Sequence, residues 1–175
     1  MGQAKLFETI HDFEAGRETI AKRSYGVIEV ADGEFVGIHL RPWPKIVSVV
    51  EAKWMGGWQH ERRERDQCLL YYNQPIAHRN FLALKYTVTS YRTTYKTFRR
   101  TLIVLDEIAK LKKTDAIVAE VSNKRISDRF MKRCGWEPHL PNKKARHFIK
   151  RFYGQYPTVE IAQEILASNP SLAGI

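Results

Sequence analysis

The chain has 175 residues, 43% of them hydrophobic, and a formal net charge of +10 at pH 7. This length is typical of one domain with a substantial core, and no apolar run approaches the roughly 18 residues of a transmembrane helix. The N-terminus, MGQAKLFETIHDF, has neither the basic start and apolar stretch of a signal peptide nor the Ser or Thr of a myristoylation site. We therefore expect a protein that does not associate with membranes.

The cysteines, histidines and charges indicate the compartment, the absence of a structural metal site and the kind of binding partner. Cys68 and Cys134 are far apart and match no metal or redox spacing, and the six histidines are scattered without ligand spacing. Buried free thiols, a reducing cytoplasmic compartment and no structural metal are the corresponding expectations. The surplus of positive charge favours the binding of polyanions, and nucleic acid and a phosphate-rich cofactor are the candidates. A third interpretation is a solvated basic surface that binds no partner.

Elements along the chain are predicted from the spacing of apolar residues and from turn-forming pairs. Asp32-Gly33 lies between two β-branched runs and indicates a hairpin, because both residue types tolerate positive φ. Gly135 ends a helical pattern directly before Trp136. Strands are expected at residues 25–30, 34–40, 45–53, 80–90, 116–121 and 146–153, and helices at residues 4–23 with a break near Gly16, 60–72, 97–112, 124–134 and 158–167.

One stretch of the sequence is the most informative: residues 115–136, DAIVAEVSNKRISDRFMKRCGW. It predicts a short buried strand, then a helix preceded by the helix-capping residue types Ser122 and Asn123, and finally a glycine and an aromatic residue that begin the next segment. This order resembles the second half of the GNAT fold, the GCN5-related N-acetyltransferases. The resemblance covers residues 80–153. It implies an α/β (α+β) fold with a mixed, mostly antiparallel central sheet flanked by helices, in a single GNAT-like domain over residues 1–175.

The GNAT resemblance implies a coenzyme A thioester as co-substrate, with its pyrophosphate at the turn between the strand and the helix that precede this stretch. In the family that turn starts with Arg or Gln and is rich in glycine, because free backbone N–H groups and the helix dipole hold the anion. Arg92 matches the initial Arg, whereas Tyr95 and Thr97 stand where glycine is usual. Either the cofactor is held in a modified way, with Arg99 or Arg100 assisting, or the site is degenerate and binds none. The implied cofactor-binding residues are Val88, Thr89, Arg92, Thr94, Tyr95, Lys96, Thr97 and Asn123.

The resemblance also implies that the strand at residues 82–89 splays from residues 116–121. The pantetheine arm of coenzyme A would lie in the gap between them, and its amides would pair with backbone groups near Val88 and Thr89. Asn123 is interpreted mainly as a helix cap, which leaves room for a second role as a cofactor contact.

Acyl transfer in this family is direct attack of an amine on the thioester, helped by a base and by an acid that protonates the thiolate. Many members supply the acid from a Tyr in the helix after the Asn, where this chain has Phe130 and Met131. The candidate catalytic base is Glu120, because desolvation in an apolar strand would make its carboxylate more basic. An ion pair with an arginine at the strand end is the alternative role of Glu120, and Glu51 is a weaker candidate.

Two functions remain open from the sequence. The first is an acyl-CoA-dependent N-acyltransferase that transfers an acetyl group from acetyl-CoA, or another acyl group, to an unknown amine acceptor. The second is a non-enzymatic basic α/β module that binds nucleic acid or a nucleic-acid-bound partner. Residues 91–100 and 142–151 interleave Arg and Lys with Tyr and Phe, which suits phosphate contacts and base stacking. The same interleaving arises in half-buried strands of any basic protein.

Overall fold

In the computed structural model, which describes residues 6–44, 65–121, 124, 126–140 and 145–157, eight strands form one sheet. The strands are β1 (Glu8–Ile10), β2 (Tyr25–Ala31), β3 (Glu34–Arg41), β4 (Gln67–Asn73), β5 (Phe81–Thr89), β6 (Ala116–Val121), β7 (Glu137–His139) and β8 (Arg146–Arg151). The order across the sheet is β1-β3-β2-β4-β5-β6-β8-β7. Every neighbouring pair is antiparallel except β5 and β6, which run parallel.

The helices of the described residues are α1 (Arg17–Lys22), α2 (Tyr95–Leu111) and α3 (Asp128–Arg133). The long helix α2 packs on β2, β3 and β4, and α1 packs on α2. No helix in this part of the chain has the length and apolar character needed to cross a membrane. The predicted fold class is confirmed: the sheet is mixed and mostly antiparallel with helices against it, in agreement with a GNAT-like architecture.

The two faces of the sheet have different surroundings, because side chains alternate along each strand. On the helix face, apolar side chains are buried in one cluster with the stripe of α2 that contains Leu102, Leu105 and Ile108. We call the other side the opposite face. Helix-face residues include Ile28, Leu70, Leu82 and Ile117, and opposite-face residues include Val27, Tyr71, Tyr86 and Val118.

A β-bulge at Lys85 separates β5 from β6. Tyr86 pairs with Tyr71 and Leu84 with Tyr72, which leaves Lys85 as an extra residue on β5. Pairing between β5 and β6 ends at the same place, with Leu84 opposite Ala119 as the last pair. A bulge bends a strand and increases its twist, and β5 stays paired to β4 as far as Thr89. The divergence of these two strands, expected from the GNAT resemblance, is therefore present.

Several predicted elements are confirmed to within a few residues. They include the hairpin of β2 and β3, whose turn residues Asp32 and Gly33 have φ of 53° and 73°. Gly135 also ends α3 with a φ of 82°. The predicted strands at 80–90, 116–121 and 146–153 and the predicted helix at 97–112 correspond to β5, β6, β8 and α2.

Three predictions of local structure are wrong. The predicted helix over 60–72 is replaced by β4 from Gln67 onward, because Cys68, Leu70 and Tyr72 alternate onto the helix face. Residues 8–10 form β1, which pairs with β3, and the helix predicted there is limited to α1. Helix α3 begins only at Asp128, because the Ser127 hydroxyl accepts the Phe130 N–H at 3.1 Å and caps it there.

Residues 137–139, for which no strand is predicted, form the short strand β7. The predicted strand at 45–53, the predicted helix at 158–167, Glu51 and Asn123 lie outside the described residues.

Candidate functional site

A cleft of about 520 Å³ lies where β5 and β6 part. Its walls include residues from both faces of the sheet. On the helix side it is lined by Leu84, Thr87, Phe98, Leu102, Ala119, Val121, Ile126, Met131 and Phe148, and on the other side by Ala83, Tyr86, Val118, Glu120, His139 and His147, with Lys85 at the bulge.

The helix side of the cleft is largely apolar. Phe98 projects from the first turns of α2, and Met131 lies on α3. Phe130 joins the two helices, since its ring lies 5.4 Å from Phe98 and 5.3 Å from Tyr95, centroid to centroid. Phe130 and Met131 thus serve as packing groups at this wall.

The opposite side of the cleft carries a polar row. Glu120 on β6 pairs with His147 on β8, and His147 pairs with His139 on β7. Directly opposed residues in an antiparallel pair point to the same face, with Cβ atoms about 5 Å apart. A carboxylate and two imidazoles therefore follow one another across three strands at the mouth of the cleft. Among the described residues, no group of three His, Cys, Asp or Glu is arranged to hold a metal ion.

Glu120 differs from its predicted environment. Its side chain is exposed at the cleft mouth, whereas a desolvated carboxylate was the basis for expecting a strong base. His139 and His147 have no ligand-type spacing in the sequence, and neither is predicted to belong to a site. The alternation of His147 along the predicted last strand was an available signal, but its partner Glu120 is distant in sequence.

The N-terminus of α2 is held by the carboxylate of Asp66, which directly precedes β4. One oxygen accepts the Thr94 N–H at 2.8 Å, and the other accepts the hydroxyls of Thr94 and Thr97, each at 2.6 Å. Burial works against the charge of Asp66, but these hydrogen bonds and the charge of Lys96 outweigh it and lower the pKa of the carboxyl. Thr97 is itself buried, and its hydroxyl also accepts the Gly33 N–H at 2.8 Å.

This arrangement divides the predicted cofactor-binding residues into two groups. The hydroxyls of Thr94 and Thr97 are engaged within the protein, and Thr94 also caps the Thr97 N–H at 3.2 Å. The amides of Tyr95 and Lys96 are the first two of the helix and have no intrahelical acceptor. Arg92 is exposed beside them, and no hydrogen bond or ion pair holds its guanidinium in the described part of the chain.

The last residues of β5 offer backbone groups towards the cleft. Val88 and Thr89 pair with Leu69 and Cys68 of β4, on the other side of the strand. Beyond the bulge at Lys85, no strand of the described residues pairs with β5 on the side of β6. Backbone groups alternate in direction along a strand, and those of residues 87–89 that point away from β4 face this side, where a ligand in extended conformation can bind.

The second function proposed from sequence requires exposed aromatic rings among basic residues. Tyr91 and Tyr95 are 84% and 53% exposed and lie beside Arg92 and Arg99. In the other basic segment, by contrast, Phe148 is buried in the core. Of these two segments, only residues 91–100 present exposed aromatic rings in the part of the chain that the structure describes.

The sequence matches no protein-family model and no curated protein. Among solved structures, the chain is similar to nourseothricin acetyltransferase, with 10% sequence identity and a TM-score of 0.41. The match covers 84% of this chain and 99% of that one. Similarity at this level does not identify a function.

Proposed function

We propose that this protein transfers an acyl group from an acyl-CoA, such as acetyl-CoA, to the amine of an acceptor molecule. The observation that carries the proposal is the parting of β5 and β6 at Lys85, beside a cleft that is lined by residues from both faces of the sheet. Two substrates can enter such a cleft from opposite sides and meet within the sheet. A binding module would need no cleft of this kind.

The helix side suits the coenzyme A thioester. Its pantetheine arm is thin and carries two amides, which match the unpaired edge of β5 near Val88 and Thr89 and the apolar wall at Phe98. The pyrophosphate would lie at the start of α2, where the Tyr95 and Lys96 amides and the Arg92 guanidinium favour an anion. Asp66 opposes this charge, and the residues fit the phosphates through the amides and Arg92 rather than through the threonine hydroxyls.

The opposite side suits the acceptor. Glu120 takes a proton from the attacking ammonium, and His147 and His139 continue the polar row towards the sheet edge, where the proton can reach solvent. The amine nitrogen then bonds to the thioester carbonyl carbon, the carbon–sulfur bond breaks with its electron pair on sulfur, and the nitrogen loses its second proton to solvent as the amide forms. Tyr86 is the one tyrosine among the described cleft-lining residues, and its phenol is the candidate donor to the thiolate.

Calorimetric titration of the purified protein with acetyl-CoA and with free CoA tests the proposal. We expect saturable binding at one molecule per chain, and weaker binding in Arg92→Glu. Arg79→Glu is the matched control, because it makes the same charge change at the start of β5, about 30 Å from Arg92 by the length of the strand.

Absence of binding to the folded protein would contradict the proposal. Equal losses in the two variants would instead contradict the position assigned to the pyrophosphate.

A further inference from the structure

Two opposite charges stand at the point where β5 and β6 part. The last pair of the parallel ladder is Leu84 with Ala119, and the next residues are Lys85 on β5 and Glu120 on β6. Both line the cleft, and both side chains are exposed. Paired strands lie about 4.8 Å apart, and the gap is wider from this position onward. The two charges thus flank the entrance to the cleft on either side.

Neither charge is compensated within the described part of the chain. No carboxylate lies within ion-pair distance of Lys85, and no Lys or Arg does so for Glu120. On the neighbouring strand β8 the pattern is different, since Arg151 pairs with Glu137 and Lys150 with Asp106. At the entrance to the cleft, the Lys85 ammonium and the Glu120 carboxylate can therefore both bind charged groups of a ligand.

We infer that the acceptor of the proposed acyl transfer is a small molecule that carries both a primary amine and a carboxylate, of the α-amino acid class. This inference rests on the proposed function. The carboxylate of the acceptor binds Lys85, and its ammonium group lies against Glu120. A diamine without a carboxylate would be repelled by Lys85, and a dicarboxylate would be repelled by Glu120.

The same contacts orient the reaction. Lys85 holds the carboxylate of the acceptor on the lip of β5, which directs the amine towards Glu120 and the row of His147 and His139. Glu120 removes one proton from the ammonium, and the free amine attacks the thioester. The products are an N-acyl amino acid, which has lost the positive charge recognised by Glu120, and free CoA. Loss of that charge favours release of the product.

The experiment follows release of the CoA thiol from acetyl-CoA with a chromogenic thiol reagent. The acceptors are L-amino acids, each compared with its decarboxylated counterpart: phenylalanine with phenethylamine, tyrosine with tyramine, and lysine with cadaverine. We expect kcat/KM to be at least about tenfold higher for the favoured amino acid than for its counterpart, because a charge-assisted hydrogen bond is lost with the carboxylate.

Lys85→Met should remove this preference, lowering kcat/KM for the amino acid about tenfold or more while changing that for the decarboxylated amine less than twofold. Lys22→Met, on α1 and away from the cleft lining, should leave both values unchanged. Decarboxylated amines that react as well as amino acids, or equal losses for both in Lys85→Met, would overturn the acceptor class while acyl transfer stands. No CoA release with any of these amines, from a protein that binds CoA by calorimetry, would overturn the acceptor class alone. No release together with no CoA binding would overturn the acyl transfer itself and the acceptor class with it.

Discussion

The ammonium nitrogen of Lys150 on β8 lies 2.6 Å from Oδ2 of Asp106 on α2, in the layer between helix and sheet. The two side chains are 11% and 8% exposed, respectively. Burial raises the pKa of Asp106 to about 6, although Lys150 acts in the opposite direction, and Oδ1 has no hydrogen-bond partner among the described residues. The pair therefore joins α2 to the sheet beside the cleft while placing a carboxylate in an unfavourable environment.

A pH dependence of stability follows from this carboxylate. The pKa of Asp106 is about 6 in the folded protein, above the ordinary value of 3.8 for this side chain, which means that the folded state holds the proton more tightly. Its contribution to the free energy of unfolding is therefore largest at low pH and decreases as pH rises through about 6. Between pH 5 and pH 7 the decrease should be about 1 kcal/mol. Urea unfolding of the wild type and Asp106→Asn at both values measures it, and a difference between the two proteins that does not depend on pH would contradict it.

Breaking the buried pair should be more costly than breaking an exposed one on the same strand. We expect Lys150→Met to lower the free energy of unfolding at pH 7 by about 3 kcal/mol, because it leaves Asp106 without its partner. Arg151→Met is the matched control: its pair with Glu137 is largely exposed, and its loss should be below about 1 kcal/mol. The double variant Asp106→Leu/Lys150→Met should recover most of the stability. Similar losses for Lys150→Met and Arg151→Met would count against the inference that burial decides.

The hydroxyl of Thr97 should matter more for stability than that of Thr101, one turn later on α2. Thr97→Val removes a donor to Asp66 and an acceptor of the buried Gly33 N–H, and should cost about 2 kcal/mol. Thr101→Val removes a bond to the Thr97 carbonyl within the helix, and should cost about 1 kcal/mol or less. Val and Thr have similar helix propensities, which makes the two variants comparable by chemical denaturation. Equal losses in the free energy of unfolding would show that the hydrogen bonds of Thr97 with Asp66 and Gly33 add nothing to stability.

The charge of Asp66 should weaken the binding of coenzyme A. In Asp66→Asn the amide still reaches Thr94 and Thr97, but the negative charge beside the proposed pyrophosphate position is gone. We expect calorimetry to show several-fold tighter binding of CoA, with a larger gain at low salt. Asp115→Asn, which removes a carboxylate bonded to Asn80 near the start of β5, serves as the control. Weaker binding by a folded Asp66→Asn protein would show that the phosphates do not approach this helix end.

Nucleic-acid binding, the alternative function, predicts a different response to salt. If Arg92 and Arg99 contact phosphates while Tyr91 and Tyr95 stack on bases, affinity for a fluorescent single-stranded oligonucleotide should fall steeply between 50 and 200 mM salt. Tyr91→Ala should weaken binding by about 1 kcal/mol or more without changing the salt slope. A flat salt response, or no binding by fluorescence anisotropy, would remove this function from consideration.

Turns, helices and helix ends that depend on residues close together in the sequence could be predicted from it. The hairpin turn at Asp32-Gly33 needs two residues with positive φ, and this pair supplies them. Helix α2 has an apolar stripe over four turns, which no strand pattern imitates. Gly135 ends α3 because its φ of 82° is disfavoured for other residue types.

Features that depend on distant partners could not be predicted. Strand β4 was interpreted as a helix because a mixed-charge segment precedes it, and only its pairing with β2 and β5 makes its alternation visible. Asp66 and Thr97 are 31 residues apart, and nothing in either segment marks the other as its partner. The start of α3 had several capping residue types before it, including Ser127, and local chemistry did not choose between them.

The extra residue at Lys85 also sets the phase of everything that follows it on β5. Side chains alternate with a period of two, and one added position exchanges the two faces for the rest of the strand. Leu84 lies on the helix face, yet Tyr86 lies on the opposite face, with its ring 4.3 Å from that of Tyr71. If Lys85 were paired regularly, without a bulge, Tyr86 would point into the core beneath α2 and Thr87 would point away from the cleft. The bulge thus determines which side chains at the end of β5 line the cleft.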